Sequence, residues 1–243
     1  MSRTAYKYRR WDEYTKRIIT HQELYFADPK EFNDIFDCQA CGIIKDYNPP
    51  CAPFSITEKG NIRFYNNIDP IKLLNEVTKQ NISKCGVCCF SKTYNSILMW
   101  SHYAHYNRGV CFRFDLDEIN LTNGLFDDVK YVRSKPIFDF NDLDEDLSKW
   151  FFYKYKVWKY EREIRGLIFP PQNAEDEQYR KLQFPREALK EIIFGANIAK
   201  QTFEEIIGLC GCYGFHNIKF SFIQATTNTD VYKLVKVPLR VKI

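Results

Sequence analysis

Short apolar runs bounded by glycine, proline and aspartate recur along this chain, and they predict more strands than helices. Many of these runs are rich in valine, isoleucine and phenylalanine, which favour strands. The expected strands cover residues 23–27, 86–90, 109–114, 129–132, 162–169, 191–194, 219–224 and 232–237.

Helices are expected in three places. One opens with Asp69 as its cap and Pro70 at its first position, and one covers residues 95–105, where apolar residues recur at helical spacing. A third is expected over about residues 141–156. Because strands and helices do not alternate regularly, we predict an α+β fold with mixed, mostly antiparallel sheets and flanking helices.

The composition fits one globular domain. Apolar residues make up 45% of the 243 positions and aromatic residues 16%, which is enough to bury a sizeable core and excludes a disordered chain. No linker, low-complexity tract or repeat divides the sequence, so we predict a single domain over residues 1–243. No run approaches the roughly 18–20 apolar residues that cross a bilayer, and we therefore predict no membrane span.

The cysteines bear on compartment and metal binding. Nine cysteines without a secretory signal favour a cytoplasmic protein with reduced thiols. Two C-x-x-C pairs, Cys38 with Cys41 and Cys85 with Cys88, have the spacing of zinc ligands. The two pairs lie too far apart in sequence for a compact zinc module, so we predict free thiols and no bound metal.

The net charge of +4 is unevenly distributed. Six lysines and arginines but only two acidic residues lie in the first twenty positions, and a second basic stretch covers residues 149–165. An anionic ligand such as a nucleotide phosphate suits either stretch, whereas solvated helix faces are the structural alternative. The sequence contains no G-x-G-x-x-G, P-loop, G-x-S-x-G or H-E-x-x-H motif, which excludes the chemistries that these motifs support.

Residues 156–170 carry the strongest candidate chemistry. In an extended chain from Glu161 onward, side chains alternate between two faces, so Glu161, Glu163 and Arg165 share one face. Two carboxylates beside a guanidinium suit a site in which one binds a hydroxyl or stabilises a cation while its neighbour stays ionised. The alternative is an ion-pair ladder on a solvated face of the sheet.

Several successive blocks of the chain resemble the bacterial domain-of-unknown-function family 2971. The resemblance covers nearly the whole chain in order, although Ile35 stands where the family pattern usually has proline. It implies a shared fold and leaves the activity open. The blocks are residues 6–9 (YKYR), 32–38 (FNDIFDC), 89–92 (CFSK), 97–104 (ILMWSHYA), 108–115 (RGVCFRFD), 158–165 (WKYEREIR) and 191–197 (EIIFGAN).

A more distant resemblance, to ADP-ribosyltransferases, implies a mechanism and a fold of that type. Those enzymes have, in order, an arginine or histidine in an early strand, a later strand that ends in serine or carries an aromatic residue, and a Glu-x-Glu motif or a lone glutamate. Arg9, Ser91 and Glu161-Arg-Glu163 match this order. In that mechanism Arg9 would hold the pyrophosphate of NAD, and an aromatic side chain would stack on nicotinamide. Glu163 would bind the ribose hydroxyl and stabilise the oxocarbenium ion as nicotinamide leaves.

The resemblance therefore implies an enzyme that uses NAD as a substrate and modifies a protein or nucleic acid, as a toxin or a phage-defence effector. The candidate catalytic residues are Glu163 and Glu161, and we expect Glu163→Gln to abolish activity without loss of the fold. Glu161, Glu163, Arg165 and the region from Trp100 to Tyr103 are expected to converge on one cleft. The candidate NAD-binding residues are Arg9, Ser91, Trp100, His102, Tyr103 and Arg165.

Structural alternatives apply to the same residues. Arg9 would then be part of a basic terminus, Ser91 would turn the chain after its strand, and Trp100 would pack in the core. Two other functional classes also stay open. One is a nucleic-acid-binding or nucleic-acid-processing protein, favoured by the basic stretches and the many aromatic residues, and the other is a non-catalytic binding module.

Overall fold

The described part of the chain folds into helices and strands in an irregular order. The computed structural model describes residues 2–39, 42–43, 54–56, 62–64, 70–139, 147–172, 176–227 and 230–241. The helices are α1 (Glu13–Thr20), α2 (Pro70–Lys84), α3 (Ile97–Tyr103) and α4 (Lys200–Cys212). The strands are β1 (Thr4–Arg9), β2 (Glu23–Tyr25), β3 (Gly42–Ile43), β4 (Phe54–Ile56), β5 (Ile62–Phe64), β6 (Gly86–Ser91), β7 (Val110–Asp115), β8 (Gly124–Asp128), β9 (Lys130–Val132), β10 (Phe138–Asp139), β11 (Tyr153–Tyr155), β12 (Glu163–Ile168), β13 (Lys181–Gln183), β14 (Leu189–Phe194), β15 (Lys219–Ala225) and β16 (Leu234–Leu239).

Eight of these strands form one sheet in the order β16-β15-β14-β7-β1-β6-β12-β8. Within it β14 and β15 run parallel, and the other neighbours run antiparallel. The predicted α+β fold with a mixed, mostly antiparallel sheet is therefore confirmed. No helix among the described residues has the length and apolar character to cross a membrane.

Every predicted strand overlaps an observed one, and the helices expected from Asp69 and over residues 95–105 correspond to α2 and α3. The third expected helix is wrong where it can be compared: Leu147–Phe152 form a 3-10 helix and the chain then enters β11. Residues 141–146 lie outside the described residues. Tyr153 and Tyr155 within β11 favour extended structure, and β11 pairs with β9 in a parallel ladder.

Different elements cover the two faces of the sheet. Ile19 of α1 and Ile206 of α4 join Phe112 in one buried cluster, whereas Trp100 of α3 joins Cys111 in another. Phe112 and Cys111 are adjacent in β7 and so belong to opposite faces. One face is therefore covered by α1 and α4, and the other by α3.

The sheet opens between β1 and β6. These neighbours share a single registered pair, Tyr6 with Ser91, whereas β1 is in register with β7 along its whole length from Thr4 to Arg9. Registered partners lie on the same face. Glu163 is paired with Ser91, Ser91 with Tyr6, and Tyr6 with Arg113, so these residues lie on one face of the sheet. Arg113 is two residues from Cys111 in β7, so this is the face that α3 covers. The candidate site lies at this opening between β1 and β6, beyond Tyr6.

Two glycines fix the loops next to α3. Gly195 N–H donates to the Gly109 carbonyl at 2.9 Å, and Asn197 N–H donates to the Asn107 carbonyl at 2.9 Å. A Cβ atom on Gly195 would lie 2.2 Å from the backbone oxygen of Asn107. Backbone cannot move aside as a flexible side chain does, so this contact requires glycine.

We therefore expect Gly195→Ala to lower the free energy of unfolding by about 3 kcal/mol, at the upper end of overpacking effects. The matched control is Gly208→Ala in α4, where a Cβ atom would have no neighbour within 4 Å. That change removes a flexible residue from a helix and should stabilise the protein by about 0.5–1 kcal/mol. Urea unfolding of both variants measures the difference, and equal effects would contradict the packing argument.

Candidate functional site

A cleft of about 980 Å³ lies at the opening between β1 and β6. Side chains from β1, α1, β2 and α3 line it together with the turn that leads into β12. The volume lies in the range of small-molecule binding sites. The lining includes Lys7, Arg9, Phe32, His102, Tyr103, Glu161 and Glu163.

Arg165 is the anchor of a buried ionic cluster behind the cleft. Its guanidinium is fully buried and makes bidentate contacts with Glu163 (2.7 and 3.1 Å) and with Asp37 (2.8 and 2.6 Å). A fifth contact, at 2.6 Å, reaches the Phe151 carbonyl, and the Phe32 ring lies 5.6 Å from the guanidinium carbon. All five N–H donors of the arginine are thus used. Arg165 holds the cluster together and has no donor left for a ligand.

Lys154 joins the carboxylates of the same cluster. Its Nζ lies 2.6 Å from Glu161, 3.2 Å from Glu163 and 3.3 Å from Asp37, and the side chain is buried. The Trp158 ring lies 5.1 Å from this ammonium. We call these five residues, Asp37, Lys154, Glu161, Glu163 and Arg165, the ionic cluster. With all groups ionised it carries three negative and two positive charges.

Glu161 is the carboxylate of the ionic cluster that no arginine holds. Its Oε1 accepts a 2.6 Å hydrogen bond from the Tyr103 hydroxyl, and its Oε2 faces Lys154. The Ser91 hydroxyl donates to the backbone carbonyl of Glu161 at 2.6 Å. The next residue, Arg162, has a left-handed backbone (φ 47°) that turns the chain into β12. Glu161 is therefore fixed at both its backbone and its side chain.

The two glutamates differ in electrostatic environment. Burial opposes the ionised form of Glu163, but Arg165 and Lys154 outweigh it and lower its pKa to about 2. For Glu161 burial dominates and raises the pKa above the usual glutamate value, although Lys154 acts in the opposite direction. Glu163 is therefore held ionised, and Glu161 is the member better suited to exchange a proton.

These shifts predict how the protein responds to acid. Because the pKa of Glu163 is lower in the folded state than the roughly 4.3 of an unfolded glutamate, its ionisation stabilises the fold above that pH. The stabilisation is lost as the pH falls from about 4.3 to 2, whereas Glu161, whose pKa is raised, acts in the opposite sense. Urea unfolding of the wild type and of Glu163→Gln measures this effect between about pH 4.3 and 2. The difference between their free energies of unfolding should shrink as the pH falls. A constant difference would contradict the prediction.

Lys7 and Arg9 supply positive charge to the cleft. The Lys7 Nζ lies 3.1 Å from both the Cys88 sulfur and the Cys89 carbonyl, and Arg9 Nε donates to the Thr15 hydroxyl at 3.2 Å. The ion pairs within the described residues include neither Lys7 nor Arg9. Two cations without carboxylate partners in a concave site favour an anionic ligand.

The structure brings most of the predicted site residues together. Glu161, Glu163, His102, Tyr103 and Arg9 all line the cleft. His102 is exposed, and its Nδ1 lies 3.2 Å from the Tyr160 hydroxyl.

Three predicted NAD-binding residues need correction, because their side chains are buried and already bonded within the protein. Trp100 donates its indole N–H to the Tyr94 carbonyl at 2.7 Å, and Ser91 bonds the backbone of Glu161. Arg165 is used entirely by the ionic cluster, as described above. Ser91 and Arg165 act on the site by positioning Glu161 and Glu163, and Trp100 packs in the core.

The solvated ion-pair ladder considered from the sequence is also wrong. Glu161 and Glu163 are each 3% exposed and Arg165 is fully buried. A buried carboxylate between two cations contributes to folding, so the expectation that Glu163→Gln leaves the fold intact has to be revised. Removing the charge of Glu163 would leave Arg165 with fewer buried partners.

Sequence reasoning missed Asp37 and Lys154. Asp37 comes from a loop 128 residues before Arg165, and its side chain is buried. Lys154 is a single lysine within the aromatic run of residues 150–155, and this isolation is the signal that could have identified it as a buried cation. Asp37 offered a weaker signal, since it lies in residues 32–38, one of the blocks on which the predicted family resemblance rests.

The cysteines and basic stretches are distributed through the fold. The seven described cysteines are free, and Cys41 and Cys51 lie outside the described residues. No metal-binding group of histidines, cysteines and carboxylates occurs in the described ranges, and the predicted absence of zinc stays a prediction.

Of the basic residues, Arg3 and Arg17 contact carboxylates, whereas Lys154 and Arg165 are buried. Lys154 and Arg165 therefore do not belong to an exposed basic surface.

Comparison with known families supports the resemblance over part of the chain. A family model described as "Protein of unknown function (DUF2971)" matches residues 99–166, which include every member of the ionic cluster except Asp37. Searches of curated proteins and of solved structures returned no match. The resemblance to ADP-ribosyltransferases stays a prediction.

Proposed function

We propose that this protein uses NAD as a substrate and transfers its ADP-ribosyl group to a macromolecular acceptor. One observation carries the proposal: the cleft combines two cations without carboxylate partners, Lys7 and Arg9, with a buried carboxylate, Glu161, that belongs to a cluster of net negative charge. The first feature suits a pyrophosphate, and the second suits a sugar on which positive charge develops.

The size and lining of the cleft suit NAD. A cleft of about 980 Å³ is large for a mononucleotide and suits a dinucleotide. Lys7 and Arg9 would hold the pyrophosphate, and Tyr103, His102 and Phe32 offer aromatic surfaces for nicotinamide. The site requires no glycine-rich loop, in agreement with the absence of such a motif.

The proposed reaction breaks the bond between C1 of the ribose and the nicotinamide nitrogen. The bonding electrons leave with nicotinamide, whose nitrogen loses its positive charge, and positive charge develops on the ribose ring. The acceptor nucleophile then forms a bond to C1 and gives up its proton. Glu161 stabilises the developing charge as a carboxylate and accepts that proton, a role that its raised pKa favours.

This assignment moves the main catalytic role from Glu163 to Glu161. Both oxygens of Glu163 already accept hydrogen bonds from Arg165, and one also faces Lys154. Glu161 is held by Tyr103 and Lys154 and by no guanidinium. Glu163 keeps Lys154 and Arg165 in place and is a positioning residue in this mechanism.

Exposed apolar side chains next to the cleft support a macromolecular acceptor. Ile97 and Leu98 of α3 are about half exposed, and α3 also carries His102 and Tyr103. Ile35 is 72% exposed in the loop whose Asn33 contacts the Tyr103 hydroxyl. Exposed apolar residues beside a site suit contact with another macromolecule. The use of this activity by a toxin or a phage-defence effector stays a prediction.

Binding of NAD tests the proposal at its first step. Isothermal titration calorimetry with the wild type, Lys7→Ala and Arg9→Ala should show saturable binding that each substitution weakens about tenfold or more, as expected for a lost charge-assisted hydrogen bond. Arg10→Ala is the matched control, because Arg10 is exposed and does not line the cleft. Absence of NAD binding, or equal affinity in all four proteins, would contradict the proposal and favour a different ligand.

A further inference from the structure

A second cavity, of about 330 Å³, lies beside the parallel pair of β9 and β11, and among the described lining residues it shares only Lys154 with the cleft. Aromatic and apolar side chains form most of its wall. Trp150 is buried at its base, whereas Phe36 and Tyr155 are about half exposed. Its apolar and aromatic lining consists of Phe36, Val132, Pro136, Trp150, Tyr153 and Tyr155.

The charged side chains at this cavity are all cationic among its described lining residues. Arg133 and Lys135 are exposed, and neither takes part in an ion pair within the described ranges. Lys135 Nζ lies 3.3 Å from the Gln39 amide oxygen and 5.1 Å from the centre of the Phe36 ring. Positive charge is therefore placed at the edge of an aromatic surface, and no carboxylate of the described residues forms an ion pair with it.

Aromatic walls and unpaired cations together define a class of ligand. Planar rings stack on tyrosine and phenylalanine faces, and a carboxylate or phosphate binds exposed arginine and lysine. The cavity has about a third of the volume of the cleft, which is too little for a dinucleotide and lies at the lower end of small-molecule sites. These features favour one planar ring system that carries one anionic group.

We propose that the second cavity binds a planar aromatic anion, with its ring against Phe36, Tyr153 and Tyr155 and its anionic group on Arg133 and Lys135. Either a nucleoside monophosphate or an aromatic carboxylate has this chemistry. The proposal does not rest on the function proposed for the cleft. Lys154 borders both cavities, so a ligand here would lie next to the ionic cluster without occupying the cleft.

Calorimetric titration of the full chain with AMP and, separately, with indole-3-acetate tests the proposal and distinguishes the two sources of the anion. At least one of these probes should bind saturably, and Arg133→Ala and Lys135→Ala should each weaken that binding about tenfold. Both residues are exposed, so the variants should keep the wild-type fold. Arg10→Ala is the matched control and should leave the affinity for that probe unchanged, because Arg10 is exposed and lines neither cavity. Lys7→Ala and Arg9→Ala report whether the probe also enters the cleft.

Three results would overturn the proposal. The first is that neither probe binds at concentrations up to about 10 mM, the weakest affinity of interest for a specific site. Alternatively, binding is weakened only by Lys7→Ala or Arg9→Ala, which would place the probe in the cleft. The third is that the Arg133→Ala and Lys135→Ala variants bind the probe as tightly as the wild type does. Since the NAD experiment depends on Lys7 and Arg9, failure of one proposal can be told from failure of the other.

Discussion

Replacing Arg165 with methionine is expected to lower the free energy of unfolding by about 3–5 kcal/mol, the loss measured when one partner of a buried ion pair is removed. Arg165 is fully buried, and its donors satisfy Asp37, Glu163 and the Phe151 carbonyl. Without it, Lys154 alone would face three buried carboxylates. Methionine fills much of the space, so the loss reports charge and hydrogen bonding more than packing.

Urea unfolding monitored by circular dichroism measures this effect. Lys159→Met is the matched control, because Lys159 is exposed in the turn before β12, and its replacement should change stability by less than about 0.5 kcal/mol. Arg165→Lys keeps the charge but not the five donors and should give an intermediate loss. A stability of Arg165→Met equal to that of Lys159→Met would show that the ionic cluster does not support the fold.

The second expectation concerns activity: Glu161→Gln should reduce nicotinamide release from NAD by about 100-fold to 1000-fold, the range seen when one electrostatic contact to a transition state is lost. Glutamine retains the acceptor for the Tyr103 hydroxyl but cannot stabilise positive charge or accept a proton. Because the ionised form of Glu161 is already disfavoured by burial, the substitution should cost little stability. NAD affinity should stay close to that of the wild type, since Lys7 and Arg9 are unchanged.

Two variants separate the chemical role of Glu161 from a structural one. Glu163→Gln should lose stability as well as activity, because it removes a partner of Arg165. Glu31→Gln alters an exposed carboxylate that also lines the cleft and should retain activity. If Glu161→Gln and Glu31→Gln release nicotinamide at the same rate, Glu161 has no part in the reaction.

Local sequence patterns were enough to predict most strands of the eight-stranded sheet. The β-branched and aromatic runs around Cys111 and Ile192 predict strands, and these strands lie at the centre of the sheet. The expected helix over residues 141–156 fails in its described part, from residue 147 onward, because the aromatic residues around Lys154 are governed by tertiary contacts. A strand of three residues such as β11 exists only through its pairing with β9, which no local pattern reveals.

Only those features of the candidate site that depend on the local backbone could be predicted from the sequence. Period-two alternation correctly placed Glu163 and Arg165 on one side of β12, since that rule depends only on the local backbone. The prediction of an extended chain at Glu161 was wrong, because Glu161 ends a 3-10 helix before β12. The alternation could not show that this side is buried, because burial depends on Asp37 and on the 3-10 helix before β11. The opening of the sheet at Tyr6 was equally invisible, since it depends on how two distant strands diverge.

Cleavage of NAD by the intact protein is the decisive observation. The wild type would be incubated with NAD labelled isotopically in the nicotinamide ring, with and without a cell lysate as the source of acceptor, and labelled free nicotinamide would be quantified by mass spectrometry. Glu161→Gln in the same lysate corrects for other enzymes that consume NAD. We predict that the wild type releases labelled nicotinamide well above the level given by Glu161→Gln. Nicotinamide release by the wild type that does not exceed the release by the lysate alone or by Glu161→Gln, despite saturable binding in the cleft, would contradict the proposed transfer and identify the cleft as a binding site only.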